Sequence, residues 1–194
     1  MSEARNRWLD EGVEMLAEEG FEGVRIDRIA ARLGLSKGSF HHHFDGAAGF
    51  KHDLLAHLED RQVGAFADMV AEARAGEGAS PRESLLRLVV LLDAPRGRYR
   101  PRLETALRAW ALTDPDAARV QAGIDEARLR MLEDLWRRIS DDEAVVRAAA
   151  LLPYVIALGA SVLMPPLDTE DLQRLYALIP PPPGGADALP RSDA

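Results

Sequence analysis

The chain has 194 residues, of which 47% are apolar, carries a formal net charge of −8, and contains no cysteine. That length holds one large domain or a small domain joined to a larger one, and the apolar share supports a core that needs no cross-links. The lack of cysteine excludes disulfides, thiolate metal sites and cysteine nucleophiles, and fits a reducing cytoplasm.

Almost nothing in the sequence reads as strand, and proline and glycine mark off a series of helices. The opening MSEARNRWLDEG places acids too early for a signal-peptide core. Ser2 caps an expected first helix over about 3–19, with Trp8, Val13, Leu16 and Ala17 near one face and Gly20 as its stop. A second helix is expected over 26–33, burying Ile26, Ile29, Ala30 and Leu33. Gly34 and Leu35 make a turn. Ser36 then caps a short third helix ending near His43, with Phe40 and Phe44 facing inward.

The fourth helix is long, about 47–74, and at 1.5 Å per residue spans roughly 40 Å. It is expected to link a small head to a larger body. The ARAGEGAS loop leads to Ser80-Pro81-Arg82-Glu83, a capping box with proline at the first helical position of a fifth helix. After the DAPRGRYRPR loop, a sixth helix is expected over 101–112 and a seventh from Asp114-Pro115 to about Arg138. Ser140-Asp141-Asp142-Glu143 reads as a second capping box for an eighth helix to about Met164, kinked at Pro153. A ninth spans about 169–178. The proline- and glycine-rich tail, 180–194, reads as disordered. The uncharged run from Ala148 to Leu167 is long enough to span a bilayer, but its three prolines and many alanines favour a buried helix, so no membrane is expected.

The stretch Gly20–Phe44, GFEGVRIDRIAARLGLSKGSFHHHF, consists of two short helices around a glycine turn, the arrangement that sets a second helix into a DNA major groove. Between Arg25 and Phe44 the cations Arg25, Arg28, Arg32 and Lys37 stand against a single acid, Asp27, in an otherwise acidic chain. Lys37, Gly38, Ser39, His41, His42 and His43 are its expected exposed positions. Lysine, serine and histidine donate to bases or phosphates, and Gly38 removes bulk where the helix start meets the duplex.

In order and spacing, Gly20, Phe21, Ile29, Ala30, Gly34, Leu35, Ser36, Lys37, Gly38, Phe40, His43 and Phe44 resemble the DNA-binding domain of the TetR family over about residues 5–60. The phrase Ala106–Ala111 followed by Asp114-Pro115 resembles the C-terminal domain of one branch. The resemblance implies an all-α protein: a helix-turn-helix head (1–46) joined by a long helix to a ligand-binding and dimerisation bundle (47–179). It further implies a homodimer on a double-stranded, pseudo-palindromic operator, switched by a small, mostly apolar ligand, acting as a cytoplasmic repressor. Three positions depart from the family pattern. His41 stands where a phosphate-binding tyrosine is common, Ala47 (after Asp45) where a lysine opens the linker helix, and Arg25 where the second helix usually has a Thr or Ser cap. Arg25, Arg28 and Lys51 are the expected substitutes for the missing phosphate-binding groups, alongside Ser36 at the cap of the reading helix.

Other features admit two readings. Three successive histidines point about 100° apart and cannot converge on one ion, so no metal site is expected. Arg96, Arg98, Arg100 and Arg102 form either a solvated turn or a contact to the head's acids or to nearby phosphate. Trp110, Met131, Trp136 and Tyr154 either line a ligand pocket or pack as core. The small and apolar residues of the eighth and ninth helices, with Val155, Leu158, Gly159, Val162, Leu172, Leu175 and Tyr176 as contacts, suggest a dimer seam, the other reading being an internal core. No P-loop, dinucleotide turn, nucleophile elbow or paired-histidine zinc motif is present, so neither a cofactor nor an enzyme is expected. The second function class is a helical small-molecule binding protein that has lost productive DNA contact.

Overall fold

The computed structural model describes residues 3–75, 81–92 and 100–178. Among them the regular structure is helical: α1 (Glu3–Glu19), a 3₁₀ turn (Phe21–Gly23), α2 (Ile26–Leu33), α3 (Lys37–His41), α4 (Gly46–Ala73), α5 (Pro81–Leu92), α6 (Pro101–Ala111), α7 (Pro115–Trp136), α8 (Glu143–Val162) and α9 (Thr169–Ala177). The fold is all-α, as the punctuation of the sequence implies. The expectations placed on Ser2, Ser80, Arg96, Arg98 and the 180–194 tail lie outside the described residues.

The chain forms two compact units. The first contains the described residues up to Gly64 together with Arg100–Asp125, which makes it larger than the 1–46 head expected from sequence. Its core is built on α1, whose buried Trp8, Leu9, Val13 and Leu16 recur at helical spacing. The rings of Phe40 and Phe44 meet Trp8 edge-on at centroid distances of 5.4 and 6.5 Å, and Phe50 of α4 closes the cluster. Such edge-on pairs align ring edge to ring face and add to the burial itself. Gly12 sits where α1 meets α4: a Cβ there would lie 3.1 Å from both Leu54 and Phe50. On α6, Leu103, Leu107 and Trp110 complete this core.

The turn between α2 and α3 depends on Gly34, whose φ of +66° lies in the left-handed region that side-chain-bearing residues disfavour. Leu35 N–H donates to the Ala30 carbonyl at 2.9 Å and Gly34 N–H to that of Ala31 at 3.3 Å. This is the paired closure of a Schellman motif, which satisfies the carbonyls at the end of α2. Ser36 Oγ then accepts from Ser39 N–H at 3.3 Å and opens α3. That helix ends at His41 with His42 as its cap, two residues before the expected end.

The second unit runs from Ala65 through α5, and from Glu126 onward. Phe66, Met69, Leu85, Leu88, Leu132, Leu135, Trp136, Val146, Tyr154 and Tyr176 are buried together. The expected cap of α8 is corrected here. Asp142, not Ser140, holds the helix start, its Oδ1 accepting from Ala144 and Val145 N–H at 2.9 and 3.3 Å, while Ser140 Oγ accepts from Asp142 N–H. Aspartate caps as well as serine, and Asp142 sits directly before the apolar run. α8 continues through Pro153 as one helix, and the Tyr176 hydroxyl of α9 donates to the Pro153 carbonyl at 2.8 Å. Among the described helices, α8 alone has the length and composition to cross a membrane; its Val146, Ala150, Pro153 and Tyr154 are buried in this unit.

Candidate nucleic-acid interface

The first unit presents α3 with its polar side outward. Phe40 is 1% exposed and anchors the helix, which leaves Gly38, His41 and His42 exposed, with Ser36 at the cap; Ser39 and His43 are half-buried. Lys37 is the first helical residue, and its side chain lies outside what the structure describes. A Cβ at Gly38 would meet nothing nearer than Ser36 Oγ at 3.6 Å, so glycine keeps the surface low at the helix start. The result is a short capped helix, locked from behind by aromatics, with hydrogen-bonding side chains on its open side.

The arginines of α2 have acidic partners on α1. Arg28 forks onto the Glu19 carboxylate of α1 with both contacts at 2.5 Å. That hydrogen bond, with the neighbouring charge, lowers the Glu19 carboxyl below its ordinary range and raises the Arg28 guanidinium. Arg32 reaches Glu11 at 3.1 Å and Glu18 at 2.8 Å. Arg25, at the cap of α2 and 64% exposed in its side chain, is paired loosely with Asp27, at 3.4 Å. No side chain caps α2, so the sequence departure at Arg25 leaves its first amides without a side-chain acceptor.

Lys51 is held as well. Its ammonium donates to Asp114 at 2.6 Å and Asp116 at 2.9 Å, at the junction of α6 and α7. These hydrogen bonds raise the lysine and, with the Ala117 and Asp116 amides, lower Asp114. Sequence reasoning named Lys51 but missed its partners. Asp114-Pro115 signalled a helix start, yet nothing local could pair it with a lysine sixty-three positions earlier. Of the arginine-rich connection, Arg100 forks onto Glu14 of α1 with contacts of 2.6 Å, as the contact reading of that segment anticipates; Arg102 is exposed.

The other candidate sites divide in the same way. Trp110 stacks on Phe21 at 4.0 Å inside the first unit's core, whereas Met131, Trp136 and Tyr154 pack in the second. On α8, Val155 (58% exposed), Val162 (55%) and the open Gly159 form one outward face, joined by Leu152. Leu175 of α9 is also exposed, while Leu158 and Leu172 are half-buried against the second core and Tyr176 is buried within it. No group of histidines and acids among the described residues is arranged to hold a metal.

A short capped helix with an open polar face, set across a glycine turn on an aromatic-braced pair of helices, defines a helix-turn-helix DNA-binding domain. Residues 9–54 match the bacterial regulatory proteins of the tetR family. Several solved structures share the fold. One is a TetR-family member from Streptomyces coelicolor A3, 25% identical, with a TM-score of 0.69 over 92% of this chain and 99% of that one. Another is a Saccharomonospora viridis protein described as a transcriptional regulator and solved with choline, 23% identical, with a TM-score of 0.70 over 91% and 95%. A third, a TetR-family regulator from Rhodococcus sp., is 22% identical with a TM-score of 0.68 over 91% and 96%. No curated protein sequence matches the chain. Residues 9–54 are thus a segment of the tetR-family type, and the chain shares the all-α fold of these solved regulators.

Proposed function

We propose that the protein is a ligand-responsive repressor that binds a pseudo-palindromic operator as a cytoplasmic homodimer and has no enzymatic role. The observation that carries the reading is α3: a Ser36-capped helix whose Gly38, His41 and His42 are open to a groove while Phe40 holds it from behind. Ser36, Lys37, Gly38, Ser39 and the three histidines serve as groove and phosphate contacts, with Arg25 the α2 cation least engaged by carboxylates. The exposed face of α8 with Leu175 supports pairing with a second copy, and a two-fold protein selects a two-fold site.

The Saccharomonospora viridis neighbour holds choline, which supports a small-molecule site in a helical body of this kind. Trp136, Tyr154 and Met131 are the second unit's candidate contacts. Ligand control then works by population shift: the ligand favours the geometry that does not bind DNA. α4 and α7 each contribute residues to both units and are the covalent routes for such a shift. A specific observation favours the second reading, a helical small-molecule binding protein without productive DNA contact: Arg28, Arg32 and Lys51 are all engaged by carboxylates. Selecting bound fragments from the source genome with the full-length protein tests the choice. Enrichment of a pseudo-palindromic site supports the repressor, and no enrichment favours the alternative.

A further inference from the structure

Several permanent cations around the helix-turn-helix are engaged by carboxylates. Arg28 and Arg32 are bound to Glu19 and Glu18, Arg5 pairs with Asp53 at 2.6 Å, and Lys51 is held by Asp114. A duplex nonetheless demands positive charge, because affinity for phosphate comes from neutralising it and releasing counterions. Two side chains on the reading surface are able to supply that charge conditionally. His41 and His42 are both exposed, one in the last turn of α3 and the other at its cap. Histidine is the side chain whose ordinary charge change falls between pH 5 and 8, and the carbonyl end of a helix favours a cation. Nearby phosphates favour the charged form further.

We propose that DNA engagement by this protein takes up protons on His41 and His42, so that falling pH tightens its grip on DNA. The proposal rests on the DNA-binding reading and adds to it a dependence that a reading surface of tyrosine or lysine would lack. Other ionisable groups surround α3. On α2 they are Asp27, Arg28 and Arg32, with Arg25 at its start. On α1, along the stretch whose Trp8 packs on Phe40, they are Glu3, Arg5, Arg7 and Glu11. α4 carries Lys51, His52 and Asp53, and Asp45 and the half-buried His43 lie on the connection into it. From pH 6 to 8, histidine is the side-chain type whose ordinary charge changes. His52 is on α4, outside the reading helix itself, and serves as the internal control.

The test uses the full-length protein and a duplex that it enriches from a randomised library at pH 7. Dissociation constants are measured from pH 6 to 8 at constant ionic strength. Each histidine that takes up a proton strengthens binding by up to about tenfold per pH unit. Two of them also steepen the salt dependence at pH 6 by up to roughly 0.9 per histidine in its logarithmic slope. The proposal expects at least a fivefold gain from pH 8 to pH 6, a collapse of that dependence in H41Q/H42Q, and its retention in H52Q. Titration calorimetry of the unmodified protein in two buffers of different ionisation enthalpy counts the protons directly, whatever the variants do to folding. Binding that stays within twofold across the range, with no proton uptake, overturns the proposal and leaves DNA binding intact. A pH dependence that survives in H41Q/H42Q overturns it as well. If no duplex is enriched at any pH, the DNA-binding reading fails and takes the proposal with it.

Discussion

Lys51 and Asp114 meet at 2.6 Å and tie the first turns of α4 to the start of α7, inside the first unit. Asp114 has two tasks there. It accepts from Lys51, and its other oxygen accepts the Asp116 and Ala117 N–H groups at 3.0 and 3.1 Å as the cap of α7. Asparagine would keep the cap and lose the charge, while alanine would lose both.

This separation fixes a pH signature. Asp114 is lowered from its ordinary value, so the pair's contribution is complete above the usual aspartate range and fades as pH falls through the lowered value. Lys51 is raised, so its share of the pair disappears only at strongly alkaline pH. The melting temperature of Asp114→Asn should therefore fall furthest below the parent's near pH 7, and the gap should close as the pH drops below about 4. Asp114→Ala should keep a residual deficit in acid, about 1 kcal/mol for the missing cap. Thermal unfolding of both variants from pH 3 to pH 8 checks this.

A second prediction concerns the approach of α1 to α4. A Cβ at Gly12 would stand 3.1 Å from Leu54 and Phe50, both buried. Gly12→Ala forces a small shift that its better helix propensity partly offsets. Gly12→Leu overpacks the site and should destabilise the protein by about 1–3 kcal/mol. Denaturant unfolding of the two variants measures the difference.

Much of this architecture was legible in the sequence because its signals are local. The Gly34 turn, the Ser36 cap and the spacing of Ile29, Ala30, Phe40 and Phe44 place α2 and α3 within a residue or two. What was not legible depends on residues distant in the chain. Arg28 and Lys51 look free until folding sets Glu19 and Asp114 beside them. Trp110 reads as either a pocket or a core residue, and only the fold sets Phe21 against it. Tyr176 reads as an outward contact, yet its hydroxyl turns in to the Pro153 carbonyl. The α8 cap was misplaced by two residues because serine and aspartate cap equally well, and both were present.

The exposed face of α8 gives a third prediction. No atom lies within 4 Å of a Cβ built at Gly159, so Gly159→Arg should leave the protomer's fold and melting cooperativity unchanged. In a dimer seam the same arginine buries an unpaired charge against the partner. Light scattering at micromolar concentration should show a dimer for the parent and a monomer for the variant, with operator affinity falling in parallel. A parent that is monomeric and still binds DNA tightly would contradict the dimer reading.

Ligand control gives a fourth. Compounds that raise the melting temperature should also weaken operator binding, with coupling of about 1–3 kcal/mol, or roughly 5- to 150-fold. Stabilising compounds that leave operator affinity within twofold would instead indicate a constitutive binder.

The central claim is that α3 reads DNA, and the most direct test compares the parent with a Lys37→Ala, His41→Ala double variant on a selected duplex over a range of salt. If these side chains touch the duplex, the variant binds at least tenfold more weakly, since each base-specific hydrogen-bonding group is worth about 1–3 kcal/mol. Its logarithmic salt slope also becomes shallower by about 0.9 for each phosphate that is no longer neutralised. A folded double variant that matches the parent in both affinity and salt slope would contradict the claim.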